Sequence, residues 1–192
     1  MRTVTYGGAV SLDGFLAGAD GSLDWLHFSK EVQEVMTNYW KDVDTILMGR
    51  KTYAFAAAQG HGAGKNSKKG KQRTRKESTL RTYVFSRTLK SVDEPDVELV
   101  ARNAVEFVRE LKRKRGKQIC LMGGGELAQS LLCAGLVDQI GLNIHPIILG
   151  SGIPTFRDPG HRLKLALMEC RQLEGGCILA NYQVLHPEKP QA

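Results

Sequence analysis

Apolar positions follow two rhythms along this chain, and the rhythm changes wherever glycine, proline or a polar cluster interrupts it. Short alternating or continuous apolar runs near residues 2 to 10, 44 to 48, 82 to 86, 97 to 100, 118 to 122, 138 to 145, 164 to 173 and 177 to 185 predict eight strands. Between the early strands the period lengthens. Val32, Val35, Met36, Tyr39 and Trp40 recur at i, i+3, i+4, i+7 and i+8, which predicts a helix over 29 to 41 with a core-facing stripe. Asn103, with Glu106 three residues on, makes a capping pair ahead of Ala104, Val105, Val108 and Leu111, and Gly116 ends that segment. Leu127, Ala128, Leu131 and Leu132 predict another helix. The last two strands are joined by Gly175-Gly176, a hairpin signal. Strands alternating with helices imply an α/β fold: a mostly parallel sheet of about eight strands, helices on both faces and an antiparallel C-terminal edge. One domain over 1–186 is expected, with a loose polar tail over 187–192.

Three strand ends carry candidate chemistry of one kind. The triplet Gly123-Gly124-Gly125 lies between the apolar run Ile119 to Met122 and the amphipathic stretch from Glu126, so a strand, a tight turn and a helix follow one another. Glycines let backbone N–H groups approach a ligand, and a helix N-terminus favours negative charge, a combination that suits a dinucleotide pyrophosphate. A glycine-rich turn with no ligand is about as common. Upstream, Thr45 to Met48 runs directly into Gly49-Arg50-Lys51-Thr52-Tyr53, offering a guanidinium fork, a point charge and a hydroxyl. Tyr83-Val84-Phe85 leads into Ser86-Arg87-Thr88, a hydroxyl and guanidinium pair suited to a phosphate monoester.

With these motifs in place the chain resembles the dihydrofolate reductase-like superfamily, and within it the reductase domain of the bifunctional riboflavin-biosynthesis deaminase-reductase and its stand-alone relatives. The resemblance is carried by Ala9 to Ala17, Met48 to Tyr53, Phe85-Ser86-Arg87, Met122 to Leu127 and His145 to Gly152. It implies a dihydrofolate reductase-like fold with NADPH as cofactor. Arg50, Ser86 and Arg87 would lie toward the 2′-phosphate, with Gly49, Lys51 and Thr52 beside them. Met122, Gly123, Gly124, Gly125, Glu126 and Leu127 would lie under the pyrophosphate. The backbone of Ala9 would meet the carboxamide, and the loop from Leu12 to Trp25, including Leu16, would close over the cofactor.

Composition narrows the setting. A hydrophobic share of 42% in 192 residues suffices for a core, and no apolar run approaches the roughly 20 residues of a membrane span. The N-terminus opens as an alternating strand without a signal-peptide pattern, so a cytoplasmic location is expected. The charge of +7 is concentrated: between His61 and Leu80 seven basic residues face one Glu, a net +6. That stretch holds no apolar residue between Lys65 and Thr79 and no aromatic to stack a base, so a flexible basic insertion over 61–80 is the first reading and an electrostatic tether for RNA or an anionic surface the second. Cys120, Cys133, Cys170 and Cys177 lack metal-ligand spacing and read as small buried hydrophobes, with no metal expected.

The substrate end departs from dihydrofolate reductase itself. Where that enzyme carries a carboxylate on the first helix, this chain places Gln33, flanked by Glu31 and Glu34. Reduction of a folate or pterin is therefore the alternative, and a riboflavin-type ribosylamino-pyrimidine phosphate is the substrate class the resemblance implies. No deaminase zinc motif is present, so deamination in such a pathway falls to another protein. Candidate catalytic groups are Asp13, which also reads as a turn residue beside Gly14, and Glu31. Candidate substrate-binding residues are Trp25, Asn143, Gly150 and Ser151, with His145 and Arg157 as further anion candidates. The expectation is an NADPH-dependent reductase of a small heterocycle, acting as a homodimer, with nucleic acid not expected as a partner. A nucleotide-binding protein of the same fold without turnover is a further alternative.

Overall fold

The structure is a computed structural model that describes residues 1–58, 80–92, 94–123 and 125–186. The basic insertion, apart from Leu80, and the tail lie outside the described residues, as do Asp93 and Gly124. In chain order the elements are β1 (Val4–Ser11), β2 (Phe15–Ala17), α1 (Lys30–Lys41), β3 (Val43–Gly49), α2 (Arg50–Ala58), β4 (Arg81–Phe85), β5 (Val97–Val100), α3 (Ala104–Arg113), β6 (Gln118–Met122), α4 (Glu126–Cys133), β7 (Gln139–His145), β8 (Ile153–Pro154), β9 (Lys164–Gln172) and β10 (Ile178–Leu185). The eight predicted strands form one sheet in the order β5-β4-β3-β6-β1-β7-β10-β9. The six strands from β5 to β7 are parallel, while β10 runs antiparallel to both β7 and β9.

The parallel strands are apolar on both sides because helices cover both faces. Neighbours along β3 point opposite ways. Leu47 joins Val4, Tyr6, Ile119, Leu121 and Ile140 under α3 and α4, whereas Ile46 and Met48 join Val84 and Cys120 against Tyr39 and Trp40 of α1 and Tyr53 of α2. Ser29 caps α1 through Val32 N–H, and Asn103 caps α3 by accepting from the N–H groups of Val105 and Glu106.

Two expectations are corrected. The α1 stripe is not continuous: Val32 and Val35 pack with Leu173, Cys177 and Leu179, Tyr39 and Trp40 pack on the β3 cluster, and Met36, between the two contacts, is exposed. Of the cysteines, Cys120 and Cys177 are buried, but Cys133 at the end of α4 and Cys170 on the edge strand β9 are exposed. The periodicity also gave no sign of the two-stranded ribbon β2/β8, which pairs Phe15 with Pro154 and Ala17 with Ile153. Its strands are too short to show a period.

The N-terminal ends of the parallel strands are pinned by buried charge. Arg2 is bound by Asp44, Thr45 Oγ1 and the Lys117 carbonyl, and Lys112 donates to Asp138 and to the Leu136 carbonyl. A shallow concavity lined by Arg2, Asp42 and Lys117 lies at this end, and its one buried cation is already paired. The described residues of the strand-end motifs at Gly49, Ser86 and Gly123 lie at the other end.

Candidate functional site

Strand pairing brings the candidate phosphate motifs together. Met48 of β3 pairs with Met122 of β6, and Gly49 with Phe85 of β4, so the segments that follow these three strands emerge side by side. Helix α2 begins at Arg50 with no intervening loop, which puts Arg50, Lys51 and Thr52 in its first turn. Gly123 has φ +78°, and a Cβ there would lie 2.1 Å from Thr52 Oγ1. Only a glycine leaves room for that hydroxyl and accepts that backbone. Gly125 is the N-cap of α4 and makes no side-chain cap, so the N–H groups of the first turn are directed outward with the positive end of the helix. The Arg157 guanidinium lies 4.0 Å from where a Gly125 Cβ would stand. Arg50, Lys51 and Arg87 are exposed around this rim.

Several neighbouring groups serve the fold as well. Ser86 Oγ accepts from the N–H groups of Thr88 and Leu89 and so shapes the turn that presents Arg87. Leu127 packs on the core, and the carbonyl of Glu126 accepts from Ser130. Met122 is half-buried against the α1/α2 face.

Beyond β1 the residues differ in kind. Ala9 of β1 pairs with Asn143 of β7, and Ser11 with His145. Asp13 accepts from Ser11 Oγ at 2.6 Å, Gly150 N–H at 2.8 Å and Leu149 N–H at 3.1 Å. Those bonds, the Ser11 hydroxyl foremost, hold its carboxyl below the usual carboxylate range. Asp13 therefore ties the β1 turn to the 147–152 loop, and the Gly150 N–H is engaged by that carboxylate; Ser151 beside it is exposed. Leu16 sits in the middle of β2 and is half-buried. Glu31 accepts from Glu174 N–H at 2.9 Å and fastens α1 to the β9–β10 turn. Gln33 is exposed, its amide donating to the Phe28 carbonyl.

The segment between β2 and α1 spans the site. Gly21 lies against Phe55 of α2, and the His27 ring packs on Gly175, where φ is +78° and a Cβ would meet His27 Cδ2 at 2.3 Å. Beneath it His145 is 2% exposed. Its Nδ1 accepts from His27 N–H at 3.3 Å and lies 3.5 Å from Cys177 Sγ. Its Nε2 is 3.2 Å from Asn143 Nδ2, and Trp25 meets the ring edge-on with centroids 5.4 Å apart. Burial, reinforced by nearby His27, lowers the imidazole pKa and favours the neutral ring.

The family model for the RibD C-terminal domain matches residues 2–179. The chain belongs to the RibD C-terminal domain family. The uncharacterized protein YyaP of Bacillus subtilis (strain 168) is 34% identical over 176 residues, covering 91% of this chain and 90% of YyaP. A crystal structure from Shewanella sp. PV-4, of a protein ascribed provisionally to riboflavin biosynthesis, superposes with a TM-score of 0.80 at 24% identity, covering 96% of this chain and all of that one. The deaminase/5-amino-6-(5-phosphoribosylamino)uracil reductase of Thermotoga maritima superposes with a TM-score of 0.68 at 18% identity over 96% of this chain and 57% of that one. The dihydrofolate reductase-like fold is thus shared, and this chain is a RibD C-terminal, reductase-like domain.

In this RibD-type domain, sequence reasoning did not join His145 to Cys177, His27 and Trp25. The first two lie 32 and 118 residues away along the chain. The His145-Pro146 pair was a visible signal, but its partners come from a loop and a hairpin that only the sheet order brings near.

Proposed function

We propose that this protein is an NADPH-dependent reductase that transfers hydride to a small heterocyclic substrate of the riboflavin-pathway type. The observation that carries the reading is the closeness of Gly123 to Thr52. It fixes a side-chain-free turn beside the uncapped N-terminus of α4, with Arg50, Lys51 and Arg87 around it, an arrangement suited to a dinucleotide with an added phosphate. The bound cofactor would supply the hydride. Arg50 and Arg87 would hold its phosphate end, the N–H groups at the start of α4 the pyrophosphate, and the segment from Leu12 to Trp25 would exclude water. Asp13 is held by the backbone N–H groups of Leu149 and Gly150, and Glu31 by that of Glu174, so neither is assigned as the acid and the proton would come from solvent or substrate.

The test is titration with NADPH and NADH followed by Trp25 and Trp40 fluorescence, with an Arg50→Ala/Arg87→Ala variant alongside. Preferential NADPH binding that the variant loses supports the reading, and turnover is then sought with 5-amino-6-(5-phosphoribosylamino)uracil by loss of NADPH absorbance. No binding of either nucleotide overturns it. A pterin substrate is the second candidate, and Gln33 at the surface of α1 argues against it because it brings no carboxylate to the site. Self-association is part of the proposal: Leu165, Leu167 and Ile178 lie exposed on β9 and β10, an apolar sheet end that a second copy would cover. Light scattering after size exclusion tests it.

A further inference from the structure

Around His145 the hydrogen-bond inventory does not close, and the manner of its failure is informative. Two buried polar atoms in this cluster, Trp25 Nε1 and Asn143 Oδ1, have no partner among the described residues. A buried polar group left unpaired costs roughly 1–3 kcal/mol, so such atoms call for an explanation.

The imidazole supplies part of it. Because Nδ1 accepts from His27 N–H, its lone pair is in use and the proton of the neutral ring resides on Nε2. Nε2–H then needs an acceptor, yet the polar atom recorded within hydrogen-bond distance of it among the described residues is Asn143 Nδ2, itself a donor, at 3.2 Å. Rotating the Asn143 amide by a half-turn exchanges its nearly isosteric ends. Oδ1 then accepts from Nε2–H, and those two atoms are paired. The NH2 takes the position Oδ1 had, a buried one without a partner among the described residues.

We propose that His145 is a positioning residue that fixes the Asn143 amide with Oδ1 toward Nε2–H, so that Asn143 Nδ2 is left, like Trp25 Nε1 in the same cluster, an unpaired donor for a carbonyl-type oxygen of the substrate. Among the described residues, both unpaired side-chain atoms of the cluster are then donors, which favours rings carrying C=O over rings carrying N–H or NH2 at that edge. Its place fits. Asn143 lies across from Ala9, on the side of β1 away from β6, whereas the basic and glycine-rich segments follow β4, β3 and β6. The anionic end of a dinucleotide and the substrate carbonyl would then occupy opposite sides of β1. The inference about the substrate rests on the reductase reading; the orientation of the pair does not.

The experiment uses the full chain labelled with 15N at histidine and asparagine side chains. At neutral pH the His145 signals should report a protonated Nε2 and a bare Nδ1, and the Asn143 NH2 protons should show no close contact with Nε2–H. A proton on Nδ1, or Asn143 NH2 protons against Nε2, overturns the proposal. His145→Gln, whose terminal amide can place an N–H where Nε2–H stood, should keep the Asn143 signature, whereas His145→Leu should lose it with the fold intact by circular dichroism. In turnover with 5-amino-6-(5-phosphoribosylamino)uracil, Asn143→Asp replaces the donor by an acceptor and should raise KM at least tenfold while NADPH affinity stays within about twofold. An unchanged KM overturns the donor role. Absence of NADPH binding by the unaltered protein counts against the reductase reading alone, since the nuclear magnetic resonance arm still decides the pair.

Discussion

Replacing Gly123 by alanine tests the link between the two strand ends most directly. The added Cβ meets Thr52 Oγ1 at 2.1 Å, and Thr52 Cγ2 and Cβ at 3.0 and 3.1 Å, on a residue whose φ is +78°. Two costs follow. An L-residue in the left-handed region loses about 1–2 kcal/mol, and forcing a methyl into packed surroundings costs about 1–3 kcal/mol more. Gly123→Ala should therefore lose about 2–5 kcal/mol in urea denaturation, with the midpoint falling and the slope unchanged. Thr52→Ala removes both Oγ1 and Cγ2 but leaves the Cβ at 3.1 Å. In that background Gly123→Ala should cost about 1–3 kcal/mol less, a coupling within the range found for residues in contact. Additive losses would refute the contact, and a variant as stable as the parent would refute the strained turn as well. NADPH titration of the same four proteins should show weakened binding in Gly123→Ala, with partial recovery in the double variant.

Further predictions concern the supports of the site and the pH response. Tyr6 is fully buried and donates its hydroxyl to the Thr155 carbonyl, so Tyr6→Phe should cost about 1–3 kcal/mol by leaving that carbonyl unpaired, as read by thermal unfolding. Lys112→Met should cost about 2–3 kcal/mol, below the 3–5 of a fully buried pair because Asp138 keeps some exposure and its bond from Val4 N–H. Asp13 has a folded pKa below that of the unfolded chain, so its tie is intact above about pH 4 and is lost as the pH falls through the folded value. The Gly150 amide shift should titrate with a midpoint below the ordinary carboxylate value, and Asp13→Asn should abolish that titration. His145 likewise has a lowered folded pKa, so its contribution to stability is complete above about pH 6.5 and declines below it. Denaturation midpoints of His145→Gln should fall less between pH 7 and 5 than those of the unaltered protein.

The sequence by itself determined the sheet and the phosphate-type motifs. Buried parallel strands must be apolar on both faces, so runs such as Thr45 to Met48 and Ile119 to Met122 declare themselves without any partner, and the glycines that end them mark turns by their own backbone freedom. Caps such as Asn103 are equally local, since donor and acceptor lie within three residues. Tertiary structure decided what depends on pairing across the chain. That Gly123 receives Thr52, that Asp13 is bound by the loop at Gly150, and that Glu31 is used on Glu174 follow from strand order and loop packing, which leave no periodic trace. The split of the α1 stripe and the exposure of Cys170 have the same origin, because a strand or helix pattern shows which side is apolar but not which layer arrives to cover it. His145 is the clearest case: its Nδ1 accepts from a backbone N–H 118 residues away, a contact that exists only once β7, the β9–β10 turn and the loop before α1 have met.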